Sequence, residues 1–160
     1  MQKKQSAGII LFKLEINRPT IFLVHPGGPY WQKKDAGSWS IPKGEFDEGE
    51  NPLEAAKREF EEETGYALSG DFIEFTPIKQ KGGKLVYAWA HENDIDAANI
   101  KSNTFNLEWP PKSNRIVAFP EIDRAGWFNI DDAKIKINPA QALLIDELEE
   151  KLRISRSGLS

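Results

Sequence analysis

The chain has 160 residues, of which 39% are apolar and 11% aromatic, and its formal net charge is −4. Length and composition predict one folded domain over residues 1–160 and argue against an intrinsically disordered chain. The absence of cysteine excludes disulfides and zinc–thiolate sites. Because the average surface repels polyanions, a phosphate or nucleic-acid ligand would need a local basic patch or a metal ion.

The beginning of the chain does not have the pattern of a secretory signal. Its basic first residues are followed only by the apolar run Ala7–Phe12, which is too short for the apolar region of a signal peptide. No segment approaches the roughly 20 apolar residues that a membrane-spanning helix needs. We therefore expect a soluble, cytoplasmic protein with no membrane partner.

Strand signals dominate the first part of the chain. Two β-branched and aromatic runs, Ala7–Lys13 and Thr20–His25, are separated by a polar segment and predict a β-hairpin. A loop that begins Pro26-Gly27-Gly28-Pro29 continues to Gly37. A short strand is then predicted over Ser38–Ile41.

A helix over Pro52–Thr64 has clear start and stop signals. Asn51 can cap its amino end, a proline suits the first helical position, and Glu54 lies three residues after the cap. Gly65 is suited to end the helix in the left-handed conformation.

The second half mixes strand and helix signals. Two runs flank the Gly82-Gly83 turn and predict a second hairpin, and residues 93–113 are expected to be irregular. The predicted elements here are strands at Phe72–Gln80, Lys84–His91, Arg115–Phe119 and Ala125–Asn129, and helices at Asp131–Lys134 and Pro139–Arg153. This order predicts an α/β fold in which helices pack on a mixed sheet.

Three carboxylates share one side of the predicted Pro52–Thr64 helix. Glu59, Glu62 and Glu63 are neighbours because residues three and four apart adjoin on a helix, and an apolar stripe beside them is expected to face the sheet. At about 4 Å and an effective dielectric of about 20, each pair would repel by roughly 4 kcal/mol. Protonation or cations must compensate, and an all-oxygen site suits Mg²⁺ or Mn²⁺. The alternative is a solvated acidic surface.

The segment Gly44–Tyr66 resembles the Nudix box, G-x5-E-x7-R-E-U-x-E-E-x-G-U, where U is bulky and apolar. Every fixed position matches, although the bulky positions hold aromatic residues where aliphatic ones are usual. The matched positions are Gly44, Glu50, Arg58, Glu59, Phe60, Glu62, Glu63, Gly65 and Tyr66. The resemblance implies an α/β/α sandwich with a mixed β-sheet and a loop–helix–loop catalytic motif.

The resemblance also implies a reaction and a set of roles. Nudix hydrolases cleave a nucleoside diphosphate linked to another moiety and use divalent metal ions, here Mg²⁺ with Mn²⁺ possible. By position, Glu59, Glu62 and Glu63 would be catalytic metal ligands, and the Gly44 carbonyl a further ligand. The implied structural residues are Glu50 and Gly65, with Arg58 bracing the catalytic motif.

Family members often add a carboxylate six residues before a tryptophan that opens the last strand. Glu121 stands six residues before Trp127 and is expected to approach the metals, with Asp123 as its substitute. The alternative is that Glu121 is only a surface acid.

Trp39-Ser40-Ile41-Pro42-Lys43-Gly44 resembles the W-x2-P-K-G lead-in of diadenosine polyphosphate hydrolases and related Nudix proteins. Lys43 is therefore expected to contact a substrate phosphate. Tyr87 and Trp89 alternate onto one face of their strand and are expected to contact the substrate by stacking on a base. The alternative is that this face of the strand belongs to the core. The other aromatic candidates for stacking are Tyr30, Trp31, Phe105 and Trp109.

These features predict a small nucleotide substrate, either a dinucleoside polyphosphate or a nucleoside triphosphate. The alternatives are a hydrolase of ADP-ribose, nucleotide sugars or RNA caps, and a catalytically silent nucleotide sensor. RNA substrates are disfavoured by the negative net charge and by the lack of a strong basic cluster in the sequence.

Overall fold

The structure is a computed structural model that describes residues 5–157, without the side chains of Lys81 and of residues 154–157. The ends of the predicted domain, residues 1–4 and 158–160, lie outside the described residues. Short 3-10 turns occupy Lys81–Gly83, Ala97–Asn99 and Pro139–Gln141. The strands and helices are β1 (Gln5–Glu15), β2 (Arg18–Pro26), β3 (Lys43–Glu45), α1 (Pro52–Thr64), β4 (Ile73–Glu74), β5 (Ile78–Lys79), β6 (Leu85–Glu92), β7 (Thr104–Glu108), β8 (Ile116–Pro120), β9 (Ile122–Asn129), α2 (Ile130–Lys136) and α3 (Ala142–Ser157).

A mixed sheet is built around β1. The main strand order is β4-β6-β1-β2-β9, with β3 paired to β1 and β5 to β6. β1 runs parallel to β6 and antiparallel to β2, and β2 runs antiparallel to β9. The predicted β1–β2 hairpin is confirmed. Its turn residues Ile16 and Asn17 both have positive φ, the conformation that matches the twist of two-residue hairpins.

Alternate residues of β1 enter two separate apolar cores. Ile9 packs on one side of the sheet in a cluster with Ala56 and Phe60 of α1. Ile10 packs on the other side in a cluster with Leu144 of α3. A strand buried on both faces is apolar at successive positions, as this one is. Helices therefore cover both faces, which confirms the predicted α/β/α sandwich.

Two strand predictions were wrong in detail. Ser38–Ile41 forms only isolated bridges, Val24 to Ser40 and Trp39 to Ile137, whereas the paired strand β3 comes slightly later. Residues 93–113 were expected to be irregular, yet β7 lies among them and pairs with β8 as a separate two-stranded sheet. The alternation of Phe105 and Leu107 with polar residues was the available signal.

Three further boundaries also differ from the predictions. The second hairpin is confirmed only in part, because β4 and β5 are two short segments that pair with β6. The final helix begins at Ala142, after a 3-10 turn at its expected start. The predicted last strand begins earlier, at Ile122. Within residues 5–157, no helix has the length and apolarity needed to cross a bilayer.

The packing of α1 on the sheet predicts a large cost for truncating its central aromatic residue. Phe60 is fully buried and contacts the ring of Phe22 at a centroid distance of 5.9 Å. Phe60→Ala should lower the free energy of unfolding by about 3–5 kcal/mol, measured by urea denaturation. The neighbouring, exposed Glu61 provides the matched control, and Glu61→Ala should change stability little. Equal losses for both variants would contradict this packing.

Candidate active site

Helix α1 is fixed at both ends as the sequence predicts. The Asn51 side chain accepts a hydrogen bond from the Glu54 backbone N–H at 3.0 Å. Gly65 is left-handed, with φ of 85°, and its N–H donates to the Glu61 carbonyl. A helix with defined ends holds its acidic side chains in a fixed arrangement next to β3.

Gly44 brings the backbone of β3 directly against the acidic helix. It pairs with Ala7 of β1, and a β-carbon at this position would overlap the Glu59 carboxylate. Only glycine permits this approach without displacing that carboxylate. The structure thus brings the predicted backbone ligand and one predicted carboxylate ligand together.

Arg58 joins three carboxylates of the motif. Its guanidinium contacts Glu50, donates to Glu59 Oε1 at 3.1 Å, and lies 3.7 Å from Glu62 Oε1. Charge-assisted bonds of this kind fix both the position and the orientation of a carboxylate. The geometry fits the bracing role that the resemblance implies for Arg58 and Glu50.

Glu63 is the most buried of the acids, at 7% exposure, and it accepts a hydrogen bond from the Lys43 backbone N–H at 3.3 Å. Burial raises the pKa of Glu63 to about 8, and the charges of Glu59 and Glu121 act in the same direction. Burial likewise raises the pKa of Glu59, against the hydrogen bond from Arg58. The carboxylates are therefore close enough to repel one another in a poorly solvated site.

Glu121, the predicted acid from outside the box, lies near Glu59 and Glu63. Its charge contributes to the raised pKa of both Glu59 and Glu63. Asp123, its proposed substitute, is instead engaged by His25, whose Nδ1 lies 2.8 Å from the Asp123 carboxylate. The geometry favours Glu121 as the acid from outside the box.

A continuous backbone path links Glu121 to α1. The Asn103 N–H donates to the Glu62 carbonyl at 2.9 Å, and the Glu121 N–H donates to the Asn103 carbonyl at 2.8 Å. The Gly27 N–H in turn donates to the Glu121 carbonyl at 2.8 Å. We call this the Glu62–Asn103–Glu121–Gly27 path. It fixes the position of Glu121 through three distant segments of the chain.

Lys43 lies near the acids of the site and near Lys84. Burial is the main cause that lowers its pKa, and Lys84 adds to this effect, while Glu63 and Glu59 oppose it. The residue predicted to contact phosphate is thus a cation at the edge of the acidic cluster. Its contact with a substrate phosphate remains a prediction.

The two predicted substrate-binding aromatics occupy different environments. Trp89 is only 8% exposed and belongs to the apolar core under α1, so it has little surface to offer a nucleobase. Tyr87 is half-buried and packs edge-on against Phe46, with ring centroids 6.0 Å apart. Of the two, only Tyr87 has a partly open position.

Two buried polar residues support the site and were not assigned to it from the sequence. Gln141 accepts from the Ile41 N–H at 3.1 Å and donates to the Ser40 hydroxyl at 3.0 Å, and so holds the segment that leads to Lys43. His25 is fully buried and is bonded at both ring nitrogens. A polar residue at the start of the last helix was the only sequence signal for Gln141.

The residues fit a hard divalent cation by their chemistry. Their donors are all oxygen atoms, the acids repel one another, and the missing β-carbon of Gly44 leaves room beside Glu59. Within the described part of the chain, no three acidic or histidine side chains already converge as a metal centre requires. Arg58 and the Lys43 N–H hold the carboxylates in this arrangement. Glu59, Glu62, Glu63 and Glu121 are the acids that would hold the ion.

Comparison with known proteins identifies the family. The model of the NUDIX domain matches residues 3–148. The chain belongs to the Nudix family. Among solved structures, this Nudix chain is similar to an Ap4A hydrolase from C. elegans, with a TM-score of 0.64 and 20% identity over 94% of this chain and 98% of that chain. It is also similar to the NUDIX domain of Shewanella oneidensis NrtR complexed with ADP ribose, with a TM-score of 0.66 and 15% identity over 95% and 90% of the two chains.

Curated relatives are more similar in sequence but longer. An RNA pyrophosphohydrolase from Bartonella henselae is 35% identical over 66 residues, which are 39% of this chain and 35% of the relative. An mRNA-decapping protein, g5R, from African swine fever virus is 30% identical over 124 residues, which are 73% of this chain and 48% of the relative. The matched region thus spans between a third and a half of the length of these relatives.

The burial of Glu63 predicts a pH-dependent stability of the metal-free protein. Because its folded-state pKa of about 8 lies above the usual 4.5, the folded state binds this proton more tightly. Its stabilising contribution is fully present below about pH 4.5 and is lost as pH rises through about 8. Urea denaturation in EDTA should show the free energy of unfolding fall with a slope of up to about 1.4 kcal/mol per pH unit from this group.

Glu63→Gln isolates that contribution, since the amide keeps an acceptor for the Lys43 N–H but does not titrate. The difference in unfolding free energy between wild type and this variant should depend on pH in the same window. Glu61→Gln, at an exposed position of α1, should follow the wild-type profile. A pH-independent difference for Glu63→Gln would show that Glu63 is not a buried, protonated acid.

Proposed function

We propose that this Nudix chain hydrolyses a phosphoanhydride bond in a nucleoside diphosphate-linked substrate, with Mg²⁺ or Mn²⁺. The observation that carries this proposal is the approach of Glu121, from the junction of β8 and β9, to Glu59 and Glu63 on the helix that Gly44 abuts. A solvated acidic helix would not require a further acid from another part of the chain.

Each residue of the cluster has a distinct task in this reaction. A bound divalent ion supplies charge neutralisation at the phosphates and lowers the pKa of a coordinated water. The carboxylates of Glu59, Glu62, Glu63 and Glu121 would hold it. Arg58 orients the first two of these through its contacts. Lys43 offers an ammonium group to a substrate phosphate, whose negative charge otherwise resists attack.

Dinucleoside polyphosphates or nucleoside triphosphates are the first substrate candidates. The support is the lead-in segment Trp39–Gly44, which resembles that of diadenosine polyphosphate hydrolases. Gln141 fixes this segment against the core. ADP-ribose, nucleotide sugars and a silent sensor role remain alternatives, although a sensor does not need all the box carboxylates that this chain keeps.

The phosphorylated 5′ end of RNA is the second candidate. It is supported by the two curated relatives, which are named an RNA pyrophosphohydrolase and an mRNA-decapping protein. This candidate reverses the expectation drawn from net charge. A local basic surface beside the site would reconcile RNA with a net charge of −4.

A substrate panel with a paired variant tests the proposal. Purified protein is incubated with dinucleoside polyphosphates, nucleoside triphosphates, ADP-ribose, a nucleotide sugar and 5′-triphosphorylated RNA, with Mg²⁺ and separately with Mn²⁺. Glu62→Gln should lower kcat by orders of magnitude while thermal unfolding stays near wild type, because it removes one ligand charge and keeps the shape.

Glu61→Gln is the matched control, since it makes the same change one residue away at an exposed position of α1. Its kcat should equal that of wild type. Hydrolysis that is insensitive to Glu62→Gln would defeat the metal-site assignment. Inactivity of the wild type across the whole panel with both metals would favour the sensor alternative.

A further inference from the structure

Two surface segments in contact with each other carry aromatic and basic side chains, and one of them begins beside Glu121. One is the loop between β2 and β3, and the other is the turn between β7 and β8. We call these side chains the aromatic–basic surface; it consists of Tyr30, Trp31, Lys34, Lys112 and Arg115, which are exposed, and Trp109, which is half-buried.

Aromatic contacts join the two segments. Tyr30 is 59% exposed and packs edge-on against Trp109 across the segments, with ring centroids 5.3 Å apart. Trp31 is 40% exposed, and the Lys34 ammonium lies 4.8 Å from its ring centroid. Large rings that remain this exposed within a folded chain can stack on a ligand with a flat apolar face.

The basic side chains of this surface have no acidic partner in the described part of the chain. Lys34, Lys112 and Arg115 form no ion pair there, and neither does the neighbouring Lys33. The Glu108 carboxylate accepts a hydrogen bond from the Lys112 backbone N–H at 3.0 Å. Asp35 is paired with Lys136, which together with Trp39 lowers the pKa of Asp35. The turn is thus locally positive on a chain of net charge −4.

The surface is anchored to the candidate active site. The Gly27 N–H bonds the Glu121 carbonyl, and a β-carbon at Gly27 would overlap the Pro120 carbonyl oxygen, so the loop passes tightly against the end of β8. His25 fixes the middle of the loop. Its ring nitrogens lie 2.8 Å from the Asp123 carboxylate and 2.6 Å from the Lys34 carbonyl.

We propose that the aromatic–basic surface binds single-stranded RNA just beyond the phosphorylated 5′ end that enters the acidic site. This inference rests on the proposed function and names the substrate class for that site. Bases would stack on Tyr30, Trp31 and Trp109, while the cations contact the phosphates between them.

RNA fits this surface better than a second free nucleoside does. A single nucleoside offers one base and no further phosphate. This surface has three aromatic rings and three cations that form no ion pair with any described residue. Single-stranded nucleic acid presents the same alternation, and proteins bind it through aromatic platforms beside basic grooves. The negative average charge of the chain does not oppose this, since phosphate contacts depend on local cations.

Binding without catalysis tests the proposal. The probe is a single-stranded oligouridylate of about six nucleotides with a 5′ monophosphate and a 3′ fluorescein, titrated with the 160-residue chain in EDTA by fluorescence anisotropy. Tyr30→Ala and Trp109→Ala should each raise Kd about tenfold, the loss expected for one base–aromatic stack. Tyr30→Phe should bind as wild type, because its ring is kept.

Salt dependence provides a second, independent measurement with variants at exposed positions. Lys112→Gln and Arg115→Gln should each reduce the slope of log Kd against log salt by about 0.7, the change expected when one RNA phosphate is no longer neutralised. Arg18→Gln, at the opposite end of β2, removes one cation elsewhere and should leave both affinity and slope unchanged.

Each outcome supports or overturns the surface assignment. Wild-type binding that none of the surface variants weakens would overturn it, and so would the absence of RNA binding. Diadenosine tetraphosphate serves as a second ligand. If the surface variants lost its binding while their RNA binding stayed unchanged, the surface would be assigned to the small nucleotide and the RNA proposal would be overturned. A wild type that hydrolyses the panel yet shows no surface-dependent RNA binding refutes this inference alone. Surface-dependent binding by an inactive wild type refutes the proposed function instead.

Discussion

Repulsion between buried carboxylates is the constraint on which the site depends. Four acids lie close enough to influence one another, and Glu63 is buried so deeply that its pKa rises to about 8. A fold tolerates such an arrangement only where each charge is paired, protonated or shared with a cation. Arg58 compensates part of the negative charge of these acids. The uncompensated charge favours the binding of a cation.

The packing of α1 on the sheet holds the repelling acids in place. α1 is pinned to the sheet by Ala56 and Phe60, so the acids beside that stripe cannot move apart without exposing the core. Gly44 then brings β3 against Glu59 where any side chain would interfere. Electrostatic repulsion favours moving these acids apart, whereas the apolar contacts of α1 keep them together.

The local parts of this architecture could be predicted from the sequence. Asn51, Pro52 and Gly65 mark the helix because capping depends on neighbouring residues. Spacing also placed Glu59, Glu62 and Glu63 on one side. What depends on distant partners was missed, since β7 is a strand only because β8 follows it, and Trp89 proved to be core because α1 covers that face of the sheet. The aromatic–basic surface was also missed, because its cations come from two segments that are distant in the sequence, and a net charge of −4 does not show where they lie.

The Glu62–Asn103–Glu121–Gly27 path separates two parts of the molecule with different tolerance for change. Everything that the path joins must keep its length, since a single inserted residue would shift Glu121 away from the helix. The tip of the β7–β8 sheet lies beyond the path. Within residues 5–157 its two strands pair only with each other, and Trp109 at the tip packs against Tyr30. The length and side chains of this tip can therefore vary among related chains while the acidic site is unchanged. Substitutions at the tip are thus a route by which new substrate preferences evolve.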